Sequence, residues 1–511
     1  MGFDSRSFLV ALALAMACFL LNSGWVQGRV LVGIDISLPT NSSVSSSSSD
    51  SSLSSSLKSH SSSKSNSSLS SSSNSTSSSL DSSSSLNSSS NSTSSSSSSN
   101  STSSSSSSDS SSNVFNVRSF GAVGDGETDD TKAFVSAWKE ACKANSGVLL
   151  VPSGYKFLLL STIFGGPCQH GVTFQLDGVI MPPDGPDSWP ESAPTAQWLI
   201  FYELDGVTLR GSGSVQGRGQ KWWNLPCKPH RGPKDSTSSD ACQSPSIFKF
   251  VKSSHIKVLD IKIFDSPQVH VKFDNCNYVH VENIIFNSPA LSPNTDGIHI
   301  EDTQHVEIYN AQISNGDDCV SIGAGCQHVD ISNATCGYGH GISIGSLGVD
   351  SSLACVSNIT VRGSLLANSA NGVRIKTWQG GSGKVRDVKF QDIQLHNVRN
   401  PLIIDQYYCM TKSCRNDTSA VYVTDVTYRN ISGTYDARSP PMHFFCSDSI
   451  PCTNILLEEV RLRPAQGQVM EKPACWKAYG KWVQESVSPE IECLGDDPSG
   501  AVVKGAAADA C

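Results

Sequence analysis

The chain lacks any apolar run long enough to cross a membrane as a helix. The run from Phe8 to Leu21 covers 14 residues, where a spanning helix needs about 20, and no later stretch is both long and apolar. A basic excess is also missing. With 37 Lys and Arg against 46 Asp and Glu, the formal net charge is −9, and no basic stripe points to nucleic acid. An acidic protein can still hold an acidic polymer if a few cations line one cleft. Although there are 17 cysteines, no pair has C-x-x-C spacing, so disulfides are favoured over zinc. Beyond about Gly147 helical periodicity disappears as well.

What is there begins with a secretory pattern. Arg6, the apolar run and small residues around Ser23 to Gly28 read as a signal peptide over 1–28. The mature protein is therefore expected to be exported and soluble. With Cys18 in the signal, 16 cysteines remain, an even number suited to pairing in an oxidising compartment. Sequons begin at Asn333, Asn358, Asn416 and Asn430, and at Asn66, Asn74, Asn87, Asn91 and Asn100; each marks only where a sugar could attach. Residues 29–113 form a low-complexity segment, almost wholly Ser and Asn from Asn41 onward. It has too little apolar surface to offset the entropy of ordering and is expected to be disordered. Its scarcity of proline argues against a stiff rod. The expected folded domain is 114–475, with 476–511 as a C-terminal tail.

At the start of that domain, Asn116 to Phe120 reads as a short strand, and Gly121, Gly124 and Gly126 as a turn. Thr128 or Asp129 would cap a helix whose apolar face is Ala133, Phe134, Ala137, Trp138 and Ala141, spaced three and four apart. From there short β-branched runs take over. They start at 207, 256, 279, 306, 329, 359 and 385, and the steps from 256 onward are 23, 27, 23, 30 and 26 residues. A quasi-period in the twenties marks a solenoid, in which each unit buries its core only by stacking. Strands that recur once per coil run parallel, so the expected class is all-β, a right-handed single-stranded parallel β-helix with a short N-terminal capping helix. A β-sandwich would need antiparallel hairpins with tight turns, and the regular V-x-I/V-x-N/D register argues against it.

The repeat gives meaning to one stretch. NTDG lies at 294–297, GDDC at 316–319, GHG at 339–341 and RIK at 374–376. Asp296 and Asp317 are 21 positions apart, and Asp317 and His340 are 23. On coils about 4.8 Å apart, Asp296, the Asp317–Asp318 pair and His340 fall side by side on three consecutive coils, with Arg374 and Lys376 on the next. Three carboxylates in one cleft repel, so at least one should hold a proton near neutral pH. Acid-catalysed glycoside cleavage needs one protonated carboxyl and one ionised carboxylate. When the latter activates water, the two lie roughly 6.5–9.5 Å apart and the product inverts. Arg374 and Lys376 flank Ile375 on a strand and point the same way, which suits a substrate that is itself a carboxylate.

The motifs NTDG, GDDC, GHGISIGSLG and RIKTW, in this order and spacing, resemble glycoside hydrolase family 28, the polygalacturonases, and the plant branch in particular. The likeness runs from about Asn116, where FGAVGDGETDDT looks like the start of pectin-degrading β-helix enzymes, to beyond Tyr408. The resemblance implies hydrolysis of α-1,4 galacturonosyl links in pectin (homogalacturonan), inverting and with no metal or other cofactor, by a protein secreted to the cell wall. It implies Asp317 as general acid, with Asp296 and Asp318 positioning and deprotonating the water and His340 tuning the acid's protonation. Arg374, Lys376 and Tyr408, with Asn294, would bind the galacturonate; Tyr407 beside Tyr408 is the alternative tyrosine. A Cys319–Cys336 bridge and a Cys409–Cys414 clip are implied too. Two departures stand out. The serine tract is outside the family core, and Tyr338 precedes Gly339 where the family often reads GGHG or SHG, a change that could alter the adjacent subsite.

Blander and rival readings remain beside this one. Asn294 and Asp296 could belong to a structural ladder in the β-helix turns, and Arg374 and Lys376 to a solvated strand face. Cys319 could be a thiol nucleophile, although secretion favours a bridge. His255, His270, His280 and His305 read as surface or turn residues and are assigned nothing. The serine tract could be a glycosylated spacer, a wall-associating stalk or an inert linker. Rival functions are a hydrolase of rhamnogalacturonan or xylogalacturonan, a calcium-dependent pectate lyase, and a noncatalytic wall-binding β-helix. No nucleic-acid or membrane partner is expected, and a monomer is.

Overall fold

Alternation of aliphatic and polar residues, repeated once per coil, dictates the architecture. In the computed structural model, residues 113–191, 195–225, 244–410, 417–496 and 511 are described. The expected signal segment and serine tract, their sequons, Asn416 and Cys414 lie outside the described residues. Every strand pairing in the two large sheets is parallel, and the chain forms the expected right-handed parallel β-helix. One sheet has eleven strands, from Thr162–Gly165 to Ala474–Trp476, and their order in space is their order in sequence. Each coil therefore adds one strand to this face.

Four consecutive strands of that sheet matter most: β1 (Ile298–Glu301), β2 (Val320–Ile322), β3 (Ile342–Leu347) and β4 (Asn371–Thr377). Their register stacks Ile298, Val320, Ile342 and Val373 in one row and Ile300, Ile322, Ile344 and Ile375 in another. All eight side chains are fully buried, and burial of each branched side chain contributes about 1.5–3 kcal/mol. Toward the N-terminus the same inner row turns aromatic: Phe164, Phe201, Phe250 and Phe273 stack at 5.5, 4.8 and 5.2 Å. With inner positions filled this way, His299, Ser321, Ser343 and Arg374 align in a row on the opposite, outer face of the sheet.

The N-terminal end is covered by α1 (Thr131–Lys143), which buries Ala133, Phe134, Ala137, Trp138 and Ala141 as the spacing predicts. Its boundary corrects the expected cap. Asp130 is the N-cap residue, and its carboxylate is already taken by the amides of Val123 and Gly124; Asp129 instead accepts from Thr131 N at 3.0 Å. The first strand is Val114–Asn116, and residues Val117–Phe120, expected as strand, form a 3-10 turn capped by the Asn116 side chain and ended by Gly121 at φ 96°. At the other end Ala478–Trp482 pairs with Cys452–Pro464, so stacking continues past residue 475.

Bridges join Cys142–Cys168, Cys319–Cys336, Cys355–Cys511, Cys446–Cys452 and Cys475–Cys493. Cys409 is disulfide-bonded as well. The even count misled in one respect: Cys276 and Cys326 are buried free thiols. The register places Thr303 between them on the intervening coil. Two coils separate their backbones by roughly 9–10 Å, beyond the reach of a disulfide.

Candidate active site

NTDG and GDDC lie in the turns that lead into β1 and β2, and GHG in the turn before β3. The turns are tied together from below. Asn315, nearly fully buried, donates to the carbonyls of Thr295 at 2.6 Å and Asp318 at 2.8 Å, which clamps one turn onto the next. The Cys319–Cys336 bridge holds the following residue, so Cys319 is no nucleophile. Around His340 the glycines are obligatory. Gly339 has φ +53° and an added Cβ would lie 2.3 Å from the Asp317 carbonyl; Gly341 has φ +76° with its Cβ position 2.2 Å from the Asn371 carbonyl.

The expected cluster forms. His340 Nδ1 is 2.8 Å from Asp317 Oδ1, and the Asp318 amide donates to the same oxygen at 2.8 Å. Asn294 reaches Asp317 Oδ2 at 3.4 Å, while its own buried Oδ1 has no hydrogen-bond partner among the described residues. Asp317 and His340 face solvent in part, with 18% and 42% of their side chains exposed. Asp318 is only 1% exposed. It accepts from Arg374 Nη2 at 2.7 Å, Lys376 Nζ at 2.8 Å and Ser343 Oγ at 2.7 Å. Arg374 Nε in turn donates to Ser343 at 2.9 Å. The two cations expected to await a substrate are therefore already engaged with Asp318, and the strand face is not a merely solvated one. Two cations around one carboxylate still leave a net charge of +1, with Arg374 Nη1 and two Lys376 protons uncommitted to Asp318.

These contacts divide the three carboxylates. Burial works to raise Asp318, but Lys376, Arg374 and His340 outweigh it and hold the carboxyl ionised, well below the usual range. Asp296 has only the Ser321 hydrogen bond and the more distant charge of Lys376 on its side. Burial, then the charges of Asp317 and Asp318, push it up to about 8. Of the three carboxyls, Asp296 is thus the one whose proton affinity its surroundings raise. For His340, burial opposes the imidazolium, yet the hydrogen bond and charge of Asp317 and the charge of Asp318 raise it above its ordinary value. Lys376 Nζ lies 5.3 Å from the Tyr408 ring, which packs edge-on against Trp378 at 5.4 Å. The Tyr407 hydroxyl is instead buried with no hydrogen-bond partner among the described residues. Donor atoms of Asp317, Asp318 and His340 lie within 4.8 Å of one another, but the cations already on Asp318 suit an anion there better than a metal ion.

Sequence reasoning passed over several participants. Ser321 Oγ lies 2.7 Å from Asp296 Oδ2, and His299 Nδ1 lies 2.8 Å from Ser321 Oγ. The signal was present, since 299, 321 and 343 are each 22 residues apart on the outer row. His270, read as a surface or turn residue, is fully buried. Its ring spans the Asp296 carbonyl at 2.9 Å and Ser288 Oγ at 3.0 Å, and burial lowers its pKa to about 4. Asn294 and Asp296 stand outside the turn ladder, which is built elsewhere from Asp260, Asn283, Asn310 and Asn333.

Known proteins place the chain in a family. The model for Glycosyl hydrolases family 28 matches residues 142–476. A probable polygalacturonase of Arabidopsis thaliana is 42% identical, over 76% of this chain and 85% of its own length. A polygalacturonase of Persea americana is 44% identical, over 68% of this chain and 73% of its own. Among solved structures, an endo-xylogalacturonan hydrolase from Aspergillus tubingensis superposes with a TM-score of 0.59 at 23% identity, over 73% of this chain and all of that one. A polygalacturonase from Erwinia carotovora ssp. carotovora gives 0.54 at 19%, over 71% and 93%; at such identities these two speak for the fold. With its motifs gathered in one cleft and its relatives of this kind, the chain belongs to glycosyl hydrolase family 28 and is a glycoside hydrolase of the polygalacturonase family.

Proposed function

We propose that the protein hydrolyses α-1,4 galacturonosyl links of homogalacturonan by direct displacement with inversion, without a metal. Asp317 is the general acid: it is the carboxyl of the three that combines solvent exposure with a hydrogen bond to His340. Asp318, the deepest of the three, and Asp296 on the adjacent coil hold the water and take its proton. The net positive charge of Asp318 with Arg374 and Lys376 is the observation that carries the substrate class, because it suits one uronate carboxylate beside the cleaved bond. Tyr408 backs Lys376, and the unpartnered Oδ1 of Asn294 offers an acceptor for a sugar hydroxyl or the water. The disulfides support export, and cell-wall pectin is the site of action in this reading; the protein acts as a monomer.

The test is incubation of the purified protein with de-esterified polygalacturonic acid in the presence of chelator. Reducing ends and ultraviolet absorbance from double bonds are followed together, and product length separates endo from exo action. New reducing ends without absorbance are expected. Absorbance lost with chelator would indicate a lyase and overturn the role of Asp317. Cleavage only of rhamnogalacturonan or xylogalacturonan would move the substrate to a branched pectin, and no cleavage of any pectin would leave a binding protein.

A further inference from the structure

One hydrogen-bonded chain leads away from the cleft. Asp296 Oδ2 is 2.7 Å from Ser321 Oγ, and Ser321 Oγ is 2.8 Å from His299 Nδ1. On the far side of the ring Nε2 faces Glu301 Oε2 at 3.5 Å, and Lys272 donates to the same oxygen at 3.1 Å. No part of the reaction as described above uses Ser321, His299, Glu301 or Lys272.

A hydroxyl between a carboxyl and an imidazole can run its hydrogen bonds in either direction. With the proton on Asp296, its O–H donates to Ser321, Ser321 donates to bare Nδ1, and Nε2–H points at ionised Glu301. Reversed, Nδ1–H donates to Ser321, Ser321 donates to ionised Asp296, and the ring carries both protons. The change breaks one O–H bond at Asp296, exchanges the one at Ser321 and forms one N–H bond at His299, so nothing else is needed for balance.

We propose that His299 accepts the proton of Asp296 through Ser321, leaving Asp296 as the ionised base that activates water. The need is set by the neighbours. Asp318, and Asp317 whenever it is ionised, face Asp296 with like charge, opposed by the Ser321 hydrogen bond and then by Lys376. The imidazole has to overcome burial and the cations Lys272 and Lys376, which lower its proton affinity. Glu301 is its counter-charge, kept ionised with a pKa of about 2 by the hydrogen bond to His299 and, against burial, by Lys272. His299 and Ser321 are positioning residues in this scheme, since they act through Asp296.

The proposal rests on the hydrolase reading of the cleft, and two measurements keep the two apart. In the first, kcat and KM on polygalacturonic acid are followed against pH for the full-length wild type, S321A, S321T and H299Q. S321A is expected to lose on the order of 10²-fold in kcat with KM little changed. Its acidic limb moves to higher pH, because Asp296 must then release its proton to solvent. H299Q should show the same displaced limb, and S321T, which keeps the hydroxyl, should restore most of the rate. A wild-type limb in S321A, or an S321T as poor as S321A, would overturn the relay and leave only packing. The second measurement needs no substrate: the His299 ring is titrated by NMR in wild type and in D296N. Loss of the acidic partner should move its protonation to lower pH, and an unchanged titration would overturn the proposal even if no pectin is cleaved.

Discussion

Two faces of the solenoid repeat one residue per coil and use the repeat in opposite ways. On the turn face like stacks on like. Asn310 donates to Asn283 at 2.6 Å, Asn333 to Asn310 at 3.3 Å, and the rings of His255, Tyr278, His305 and His328 stack at 5.0, 4.7 and 4.9 Å. All of these residues have positive φ, between 51° and 57° for the rings, so each holds a turn and satisfies its neighbour along the axis. On the cleft face the stacked positions hold unlike groups. Asp296, Asp318 and His340 precede the aligned residues Ile298, Val320 and Ile342 by two positions each, and Arg374 and Lys376 reach back to Asp318 from β4. Uniform stacking satisfies every group locally. Broken stacking leaves charge over, and that residue of charge is what a substrate meets.

The largest test of the contrast is Asp317→Asn. An amide in place of the general acid is expected to lower kcat by about 10³-fold or more, with KM and thermal midpoint little changed. Reducing-end assays and a melting curve on the same sample check it. A variant that retains turnover would remove the cleft face from catalysis altogether.

Asp318→Asn is expected to blur the two faces. It leaves Arg374 and Lys376 partly buried without their carboxylate, at 11% and 9% side-chain exposure. Removing one member of such a cluster costs about 3–5 kcal/mol, to be read by denaturant unfolding. Activity should fall too, so this cleft residue serves stability as a ladder residue does.

How far the sequence carried these assignments differs between the faces for a physical reason. Inner rows such as Ile300–Ile322–Ile344–Ile375 repeat visibly, and the acid motifs recur at nearly the coil length, so the fold and the gathering of Asp296, Asp317, Asp318 and His340 were legible. The pairing of Arg374 and Lys376 with Asp318 was not, because it depends on side chains reaching back across two coils. Nor was the carboxyl whose proton affinity is raised. Asp296 and Asp318 are both aspartates in turns, and only the position of the cations separates them. Ser321 and His299 carry no motif and acquire meaning through register alone. Counting cysteines failed at Cys276 and Cys326 because parity says nothing of the coil that intervenes.

Asp296→Asn sharpens the contrast through pH. Burial and the neighbouring carboxylates push the folded carboxyl up to about 8 from the ordinary 3.8, so between these values the fold is expected to hold a proton that the unfolded chain has released. By linkage, stability falls as pH rises through that window. The variant removes this slope. Relative to wild type it should gain stability from about pH 4 upward, most near pH 8, while losing activity. Unfolding midpoints at several pH values check it, and parallel pH curves for the two proteins would contradict a buried proton on Asp296.

The smallest effect belongs to the ladder, and it is the one that isolates structure from chemistry. Asn310 sits at φ 52° and joins Asn283 to Asn333 on the exposed turn edge. Alanine there loses the amide contacts and meets the left-handed penalty of about 1–2 kcal/mol. Glycine loses the same contacts but tolerates the backbone angle. Unfolding free energies should therefore rank wild type above Asn310→Gly and that above Asn310→Ala, with kcat and KM unchanged in both. If glycine were as damaging as alanine, the side-chain contacts would be what matters along this edge. If either variant changed kcat, the two faces would be coupled through the coil, and like-on-like stacking would be part of the enzyme's chemistry after all.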